Sequence, residues 1–117
     1  MPNREPAPPK AGVLQGTLDL MILKVVASLG PVHGYAIAER LAQVSEGALQ
    51  LNMGTLYPGL VRLEQRGLLR AAWDQTESNR RARFYSLTPA GRRRLEVERQ
   101  EWSRMTGIMQ RLLDDTI

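Results

Sequence analysis

At Gly67 the spacing of apolar residues changes, and no other feature constrains the fold as much. Upstream, Leu56, Leu60 and Leu63 recur at helical spacing, with Tyr57 and Val61 beside them. Downstream, Leu68 to Asp74 and Ala82 to Leu87 are short, aromatic-bearing runs that suit strands. The polar residues between them, Gln75 to Arg81, suit a hairpin loop. Thr88-Pro89 then supplies a helix start, with Thr as N-cap and Pro at the first helical position. The chain therefore passes from helix to hairpin and back to helix.

Two more helices precede the switch. From about Thr17, Leu18, Met21, Ile22, Val25, Val26 and Leu29 share one helix face, and Leu20, Leu23 and Ala27 widen it. A helix apolar on more than one side is buried on more than one side, and in so small a domain the second side is expected to meet a partner chain. Gly30-Pro31 stops it. A second helix fits Tyr35 to about Ser45, with Ile37, Leu41 and Val44 inward and Gly47 in the loop after it. The third helix runs to Arg66 from one of two starts. Asn52 can cap it, with Leu51 and Leu56 as a hydrophobic staple, or Thr55 can cap it and place Pro58 within the first turn.

The last helix is expected from Pro89 to about Leu113. Leu95, Trp102 and Met109 repeat along it, Met105 and Leu112 fill the intermediate seam position, and Glu98 interrupts the stripe. No further domain is left to cover that stripe, which points to dimerisation. The expected fold is mainly α with a small β-hairpin: a winged helix-turn-helix (α-α-α-β-β) plus a C-terminal dimerisation helix. Residues 1–12, with four prolines and no large apolar side chain, are expected to form a flexible arm; 13–88 form the winged helix and 89–117 the dimerisation helix. Arg4 and Lys10 give the arm a potential touch on DNA.

Composition excludes several functions. There is no Cys, hence no disulfide scaffold or thiolate nucleophile, and the one His leaves no ordinary metal site; no metal and no cofactor are expected. No paired carboxylates, phosphate loop or nucleophile–base pair occurs at useful spacing, and the only candidate base is His33, so an enzyme is not expected. Leu18 to Leu29 is broken by Asp19 and Lys24 and falls short of the ~20 residues of a membrane span. The opening segment lacks the apolar region of a secretory signal, so the expectation is a soluble, cytoplasmic protein.

Charge turns the reading towards nucleic acid. The net charge is +4, and 14 of the 16 basic residues are Arg, suited to two-pronged contacts with phosphate and guanine. From Arg62 to Arg94 there are nine Arg against three acids, more excess charge than the whole chain carries. In a winged helix the third helix enters the major groove and the wing reaches the adjoining backbone or minor groove. The candidate DNA contacts are Asn52, Gly54, Thr55, Tyr57, Pro58, Arg62 and Arg66 at the third helix, with Asn79, Arg80, Arg81 and Arg83 on the wing. Thr55, Gly59, Arg62 and Arg66 would face away from the leucine stripe. Gly54 and Gly59 would serve close approach, to DNA or between helices. His33 could sense pH or an effector, but is expected either to fix the turn into the second helix or to lie near the DNA backbone, and Trp73 to join the core.

Four segments occur in order: His33-Gly34-Tyr35-Ala36-Ile37, Gly54 through Glu64 (GTLYPGLVRLE), Gly67-Leu68-Leu69, and Arg83 through Gly91 (RFYSLTPAG). Over about Leu14 to Leu95 the chain resembles the PadR family of bacterial transcription regulators, in its short form with a single C-terminal helix. The resemblance implies a dimeric repressor on a two-fold symmetric, pseudo-palindromic operator in double-stranded DNA. It also implies that the first and last helices form most of the dimer interface; the candidates are Leu18, Met21, Ile22, Val25, Leu95, Trp102, Met105, Met109 and Leu112. Some members hold flat aromatic effectors between the two C-terminal helices, which makes Trp102 the candidate for binding a small aromatic or hydrophobic effector; dimer-core packing is the other role open to it. A different class of function also fits the fold, a winged-helix module for protein–protein contact without an operator of its own.

Overall fold

A computed structural model describes residues 15–114. The elements in order are α1 (Gln15–Leu29), β1 (Val32–His33), α2 (Gly34–Val44), α3 (Met53–Gln65), β2 (Leu69–Gln75), β3 (Arg81–Leu87) and α4 (Pro89–Leu113). This is the winged helix expected, mainly α with a small antiparallel sheet. The arm expected over residues 1–12 lies outside the described residues.

Local chemistry accounts for the boundaries. Asn52 is the cap of α3: its Oδ1 accepts a hydrogen bond from the Thr55 amide at 2.9 Å. Pro58 consequently lies beyond the first turn and withholds a donor from the Gly54 carbonyl. Both residues are exposed, so water reaches that carbonyl. Gly67 ends the helix at φ +75°, a left-handed conformation that a side chain would oppose. Thr88 caps α4, accepting from the Gly91 amide at 2.9 Å.

The sheet has three strands, in the order β1-β3-β2, where the sequence suggested two. The addition is β1, which places Val32 opposite Tyr85 and His33 opposite Phe84. Two residues are too few to show a period, and the pairing depends on how α1 ends. A Cβ on Gly30 would lie 2.7 Å from the Val26 carbonyl oxygen and 3.1 Å from that of Tyr85. Glycine alone lets the chain pass between α1 and β3 there.

The core is closed by Ile22, Leu23 and Val26 of α1, Ile37 of α2, and Leu56, Leu60 and Leu63 of α3, with Tyr85 and Leu69 from the sheet. Part of the expected dimer surface faces inward: Leu18, Ile22 and Val25 are buried within their own protomer. Helices α2 and α3 and the sheet all pack on that side of α1, so its widest apolar arc is consumed internally. Met21 and Leu95 are half-buried against the same core. Along α4, by contrast, Val97, Trp102, Met105, Met109, Leu112 and Leu113 are all exposed.

Trp73 is a correction: it is 55% exposed rather than in the core. Alternation along β2 aligns it with Leu69 and Ala71. The hairpin, however, runs out past the helices, and along β2 only Leu69 at its base is buried. The Trp73 ring is flanked by guanidinium groups, with Arg81 at 5.2 Å and Arg83 at 5.8 Å from its centre.

Candidate nucleic-acid interface

Two surfaces meet at one end of the molecule, the outer face of α3 and the β2–β3 wing. The exposed residues of α3 are Gly54, Tyr57, Pro58, Val61, Gln65 and Arg66, with Asn52 exposed at its cap. Gly54, Pro58, Val61 and Gln65 follow helical spacing and form a narrow, nearly uncharged strip, with Tyr57 beside it. Thr55 is half-buried.

The arginines of α3 lie elsewhere. Arg62, expected to reach phosphate or a guanine edge, turns back along the helix and donates from Nη2 to Asp19 Oδ1 on α1 at 2.6 Å. Arg66 lies 3.7 Å from the other oxygen of the same carboxylate. Gly59 also faces inward. A Cβ there would meet Ile22 Cδ1 at 2.9 Å and Leu18 Cδ2 at 3.7 Å, so this glycine serves the approach of α3 to α1. Asp19 is the one charged residue buried among those described, at 6% exposure. The sequence did signal it, as a carboxylate inside the apolar series Leu18, Met21, Ile22, but the helical pattern alone gave it no partner.

The wing is held as a rigid finger. Seven consecutive register pairs join β2 to β3, from Leu69 opposite Leu87 to Gln75 opposite Arg81. At the tip the Thr76 amide donates to the Arg80 carbonyl at 2.8 Å, and the Asn79 amide to the Thr76 carbonyl at 2.9 Å. The Thr76 hydroxyl accepts from the Arg80 amide at 3.2 Å. Asn79 has φ +64°, a left-handed conformation that Asn tolerates better than most residues. Arg80 and Arg81 are exposed on this finger. Arg83, nearer its base, donates to Glu64 Oε2 of α3 at 2.6 Å, so an ion pair joins the wing to the helix beside it.

Between α3 and the wing lies a cavity of about 260 Å³ lined by Tyr35, Met53, Tyr57, Trp73 and Arg83, with Tyr85 at its floor. Burial, reinforced by neighbouring Tyr57, pushes the Tyr85 hydroxyl up to about 12, so it stays a neutral phenol at physiological pH. His33 caps α2: its Nδ1 accepts from the Ala36 amide at 3.3 Å, and the ring meets Phe84 edge-on at 5.2 Å. The histidine therefore has the structural role expected of it.

On the far side, α1, α2 and α4 enclose an apolar groove of about 410 Å³, lined by Leu20, Met21, Leu41, Leu49, Leu95 and Trp102. Trp102 forms its edge. Among the described residues no cluster of three metal-ligating side chains occurs, and no helix is long and apolar enough to cross a membrane.

Comparison with known proteins agrees with this architecture. The family model for the PadR-like transcriptional regulators matches residues 22–97. A PadR family transcriptional regulator from Eggerthella lenta has a similar structure, with TM-score 0.74 and 30% identity over 87% of this chain and 86% of that one. A Streptococcus mutans protein superposes with TM-score 0.77 at 26% identity, covering 90% and 93% of the two chains. A 37.1 kDa protein of a Streptomyces fradiae transposon is 41% identical over 88 residues, which are 75% of this chain but 24% of that protein, so the chain spans about a quarter of that relative's length. By the match of fold, family model and sequence together, the chain belongs to the PadR-like family of transcriptional regulators.

Proposed function

We propose that the chain acts as a sequence-specific homodimeric repressor on a pseudo-palindromic operator in double-stranded DNA, released by a small aromatic or hydrophobic effector. The observation that carries this reading is the adjacency of the uncharged outer strip of α3 to an arginine-tipped wing, braced by the Arg83–Glu64 ion pair. In this reading the strip enters the major groove. Asn52, Gly54, Thr55, Tyr57 and Pro58 approach base edges or the backbone, and Asn79, Arg80 and Arg81 hold phosphate. Arg83 supports the wing while paired to Glu64.

The division of labour places recognition in residues 13–88 and dimerisation in 89–117. Support for a dimer comes from α4, whose exposed Trp102, Met105, Met109 and Leu112 form a longer apolar face than a soluble monomer ordinarily presents. Met21 and Leu95 flank that face. Two copies joined through α4 would present their wings to half-sites about one helical turn apart, roughly 34–36 Å. The groove beside Trp102 is where a flat apolar effector would enter, and there it would compete with or remodel the dimer contact. The protein would work in the cytoplasm, where its operator lies.

The test is fluorescence anisotropy of the protein on a duplex from its own promoter, beside a scrambled duplex of equal composition, across a salt series. A preference of about a thousandfold or more at physiological salt is expected. Equal affinities falling together as salt rises would reduce the reading to backbone attraction. If selection from random duplexes then enriched no sequence, a protein–protein module would replace it. Effector binding is read by Trp102 quenching in a Trp73→Phe background.

A further inference from the structure

Asp19 has no part in the interface as described, yet it is the most unusual side chain in the protein. It is buried, it lies on the helix that closes the core, and two arginines of α3 converge on it. Arg62 Nη2 sits 2.6 Å from one carboxylate oxygen and Arg66 Nη1 3.7 Å from the other. The Arg62 Nε is buried without a partner, so Arg62 is held in place by this carboxylate rather than by a wider network. A buried carboxylate needs such partners, and the partners it has taken are the arginines otherwise free to reach phosphate from α3.

We infer that Asp19 is a positioning residue for recognition. It holds Arg62 back against α1 and keeps Arg66, whose side chain is still 44% exposed, beside the same carboxylate, so that α3 presents Gly54, Tyr57, Pro58, Val61 and Gln65 to the groove and offers phosphate less than two free arginines would. This rests on α3 being the groove-facing helix. Free arginines on that helix would grip any duplex, raising affinity for wrong sequences along with the right one. Paired to Asp19, they leave most phosphate binding to the wing and let the uncharged side chains of α3 approach base edges.

The experiment compares the full-length wild type with Asp19→Asn, Arg66→Gln and the double variant Asp19→Asn/Arg66→Gln on a mixed-sequence duplex, recording the slope of log affinity against log salt. Thermal melts by circular dichroism confirm folding. Asp19→Asn is expected to bind the duplex more tightly and to steepen the slope by about 0.9 for each arginine released. Arg66→Gln alone should leave the slope unchanged, while the double variant should lose about 0.9 of the steepening. A role limited to stability would lower the melting temperature and move no slope. A folded Asp19→Asn protein with the wild-type slope overturns the inference. So does a slope that Arg66→Gln alone lowers by about 0.9, since Arg66 would then hold phosphate already. If Asp19→Asn does not melt cooperatively, the Arg66→Gln slope decides alone. Wild type that binds no duplex at any salt overturns the groove-facing reading itself, a result distinct from these.

Discussion

Replacing Gly91 with alanine should destabilise the protein, although glycine-to-alanine changes within helices ordinarily do the opposite. Alanine gains up to about 1 kcal/mol over glycine in a helix interior. At Gly91, however, the added Cβ would lie 2.0 Å from the Leu68 carbonyl oxygen and 2.9 Å from Leu87 Cδ2. A carbon meets a carbonyl oxygen at no less than roughly 3.3 Å, so the start of α4 must retreat by on the order of an ångström. Leu68 is backbone at the base of the wing and cannot move aside as a side-chain tip would. The retreat strains three contacts at once: the Thr88 amide to the Leu68 carbonyl at 3.2 Å, the Thr88 hydroxyl to the Gly67 carbonyl at 2.7 Å, and the cap bond from the Gly91 amide.

Overpacking of this kind costs about 1–3 kcal/mol and a weakened cap about 1 more, so the net change is a loss of about 1–3 kcal/mol. For a domain of this size that lowers the melting temperature by roughly 4–8 °C per kcal/mol. The internal control is Gly107→Ala in the same helix, where the Cβ meets only the Arg111 Nη1 tip at 3.7 Å. That variant should be stabilised by up to about 1 kcal/mol. Urea unfolding at one fixed protein concentration reads both, with unchanged m-values as the check that only stability has moved. Two variants shifted in the same direction would refute the reasoning, because only the contact with Leu68 separates them.

Further outcomes follow from other contacts. Arg80→Ala and Arg81→Ala should each reduce the salt slope of duplex binding by about 0.9, with little change in sequence preference, measured by anisotropy. Trp102→Asp should shift the sedimentation coefficient to that of a monomer and weaken binding to a two-half-site duplex far more than to a single half-site. The Tyr85 phenol, raised from 10.0 to about 12 by burial, holds its proton in the folded state after the unfolded chain has lost it. Stability tied to Tyr85 is therefore intact below pH 10 and lost as pH rises towards 12. Tyr85→Phe should flatten that loss in urea titrations at pH 9 to 12.

How much of this was legible in the sequence depended on whether one residue's environment is set by its neighbours in the chain. The start of the last helix, Pro89–Leu113, is legible because Thr88 and Pro89 act through local hydrogen bonding and dihedral restriction. The hairpin was found within a residue at each strand, since its polar loop and aromatic runs are also local signals. Strand β1 was missed because two residues carry no period and pairing to β3 is a tertiary event. The site was legible in composition and not in orientation. Helical spacing placed Arg62 on the side away from the leucines, but a long side chain beginning there can curl back, and Asp19, 43 residues earlier, drew it in. Trp73, on the first wing strand, reads as a core residue in the sequence, and the length of the wing beyond the helices exposes it.

The arginine excess between Arg62 and Arg94 therefore does not lie evenly over one surface. Three of these nine arginines are ion-paired in place: Arg62 and Arg66 share the single carboxylate of Asp19, which offsets one of their two charges, and Arg83 pairs with Glu64. Arg94 pairs with Glu98 one turn along α4. Among the described residues, Arg70, Arg80, Arg81, Arg92 and Arg93 form no ion pair, and they lie on the sheet, the wing tip and the first turn of α4. The unpaired arginines therefore lie off α3, and the Arg62–Asp19–Arg66 group retains a single positive charge on it. With α3 as the groove-facing helix, as proposed, attraction to the backbone would come mainly from the wing and fall off with salt, while discrimination would depend on the shape of the uncharged strip. On that proposal the protein would lose wrong sequences mainly by failing to fit them, because the outer strip of α3 offers them no charge to hold.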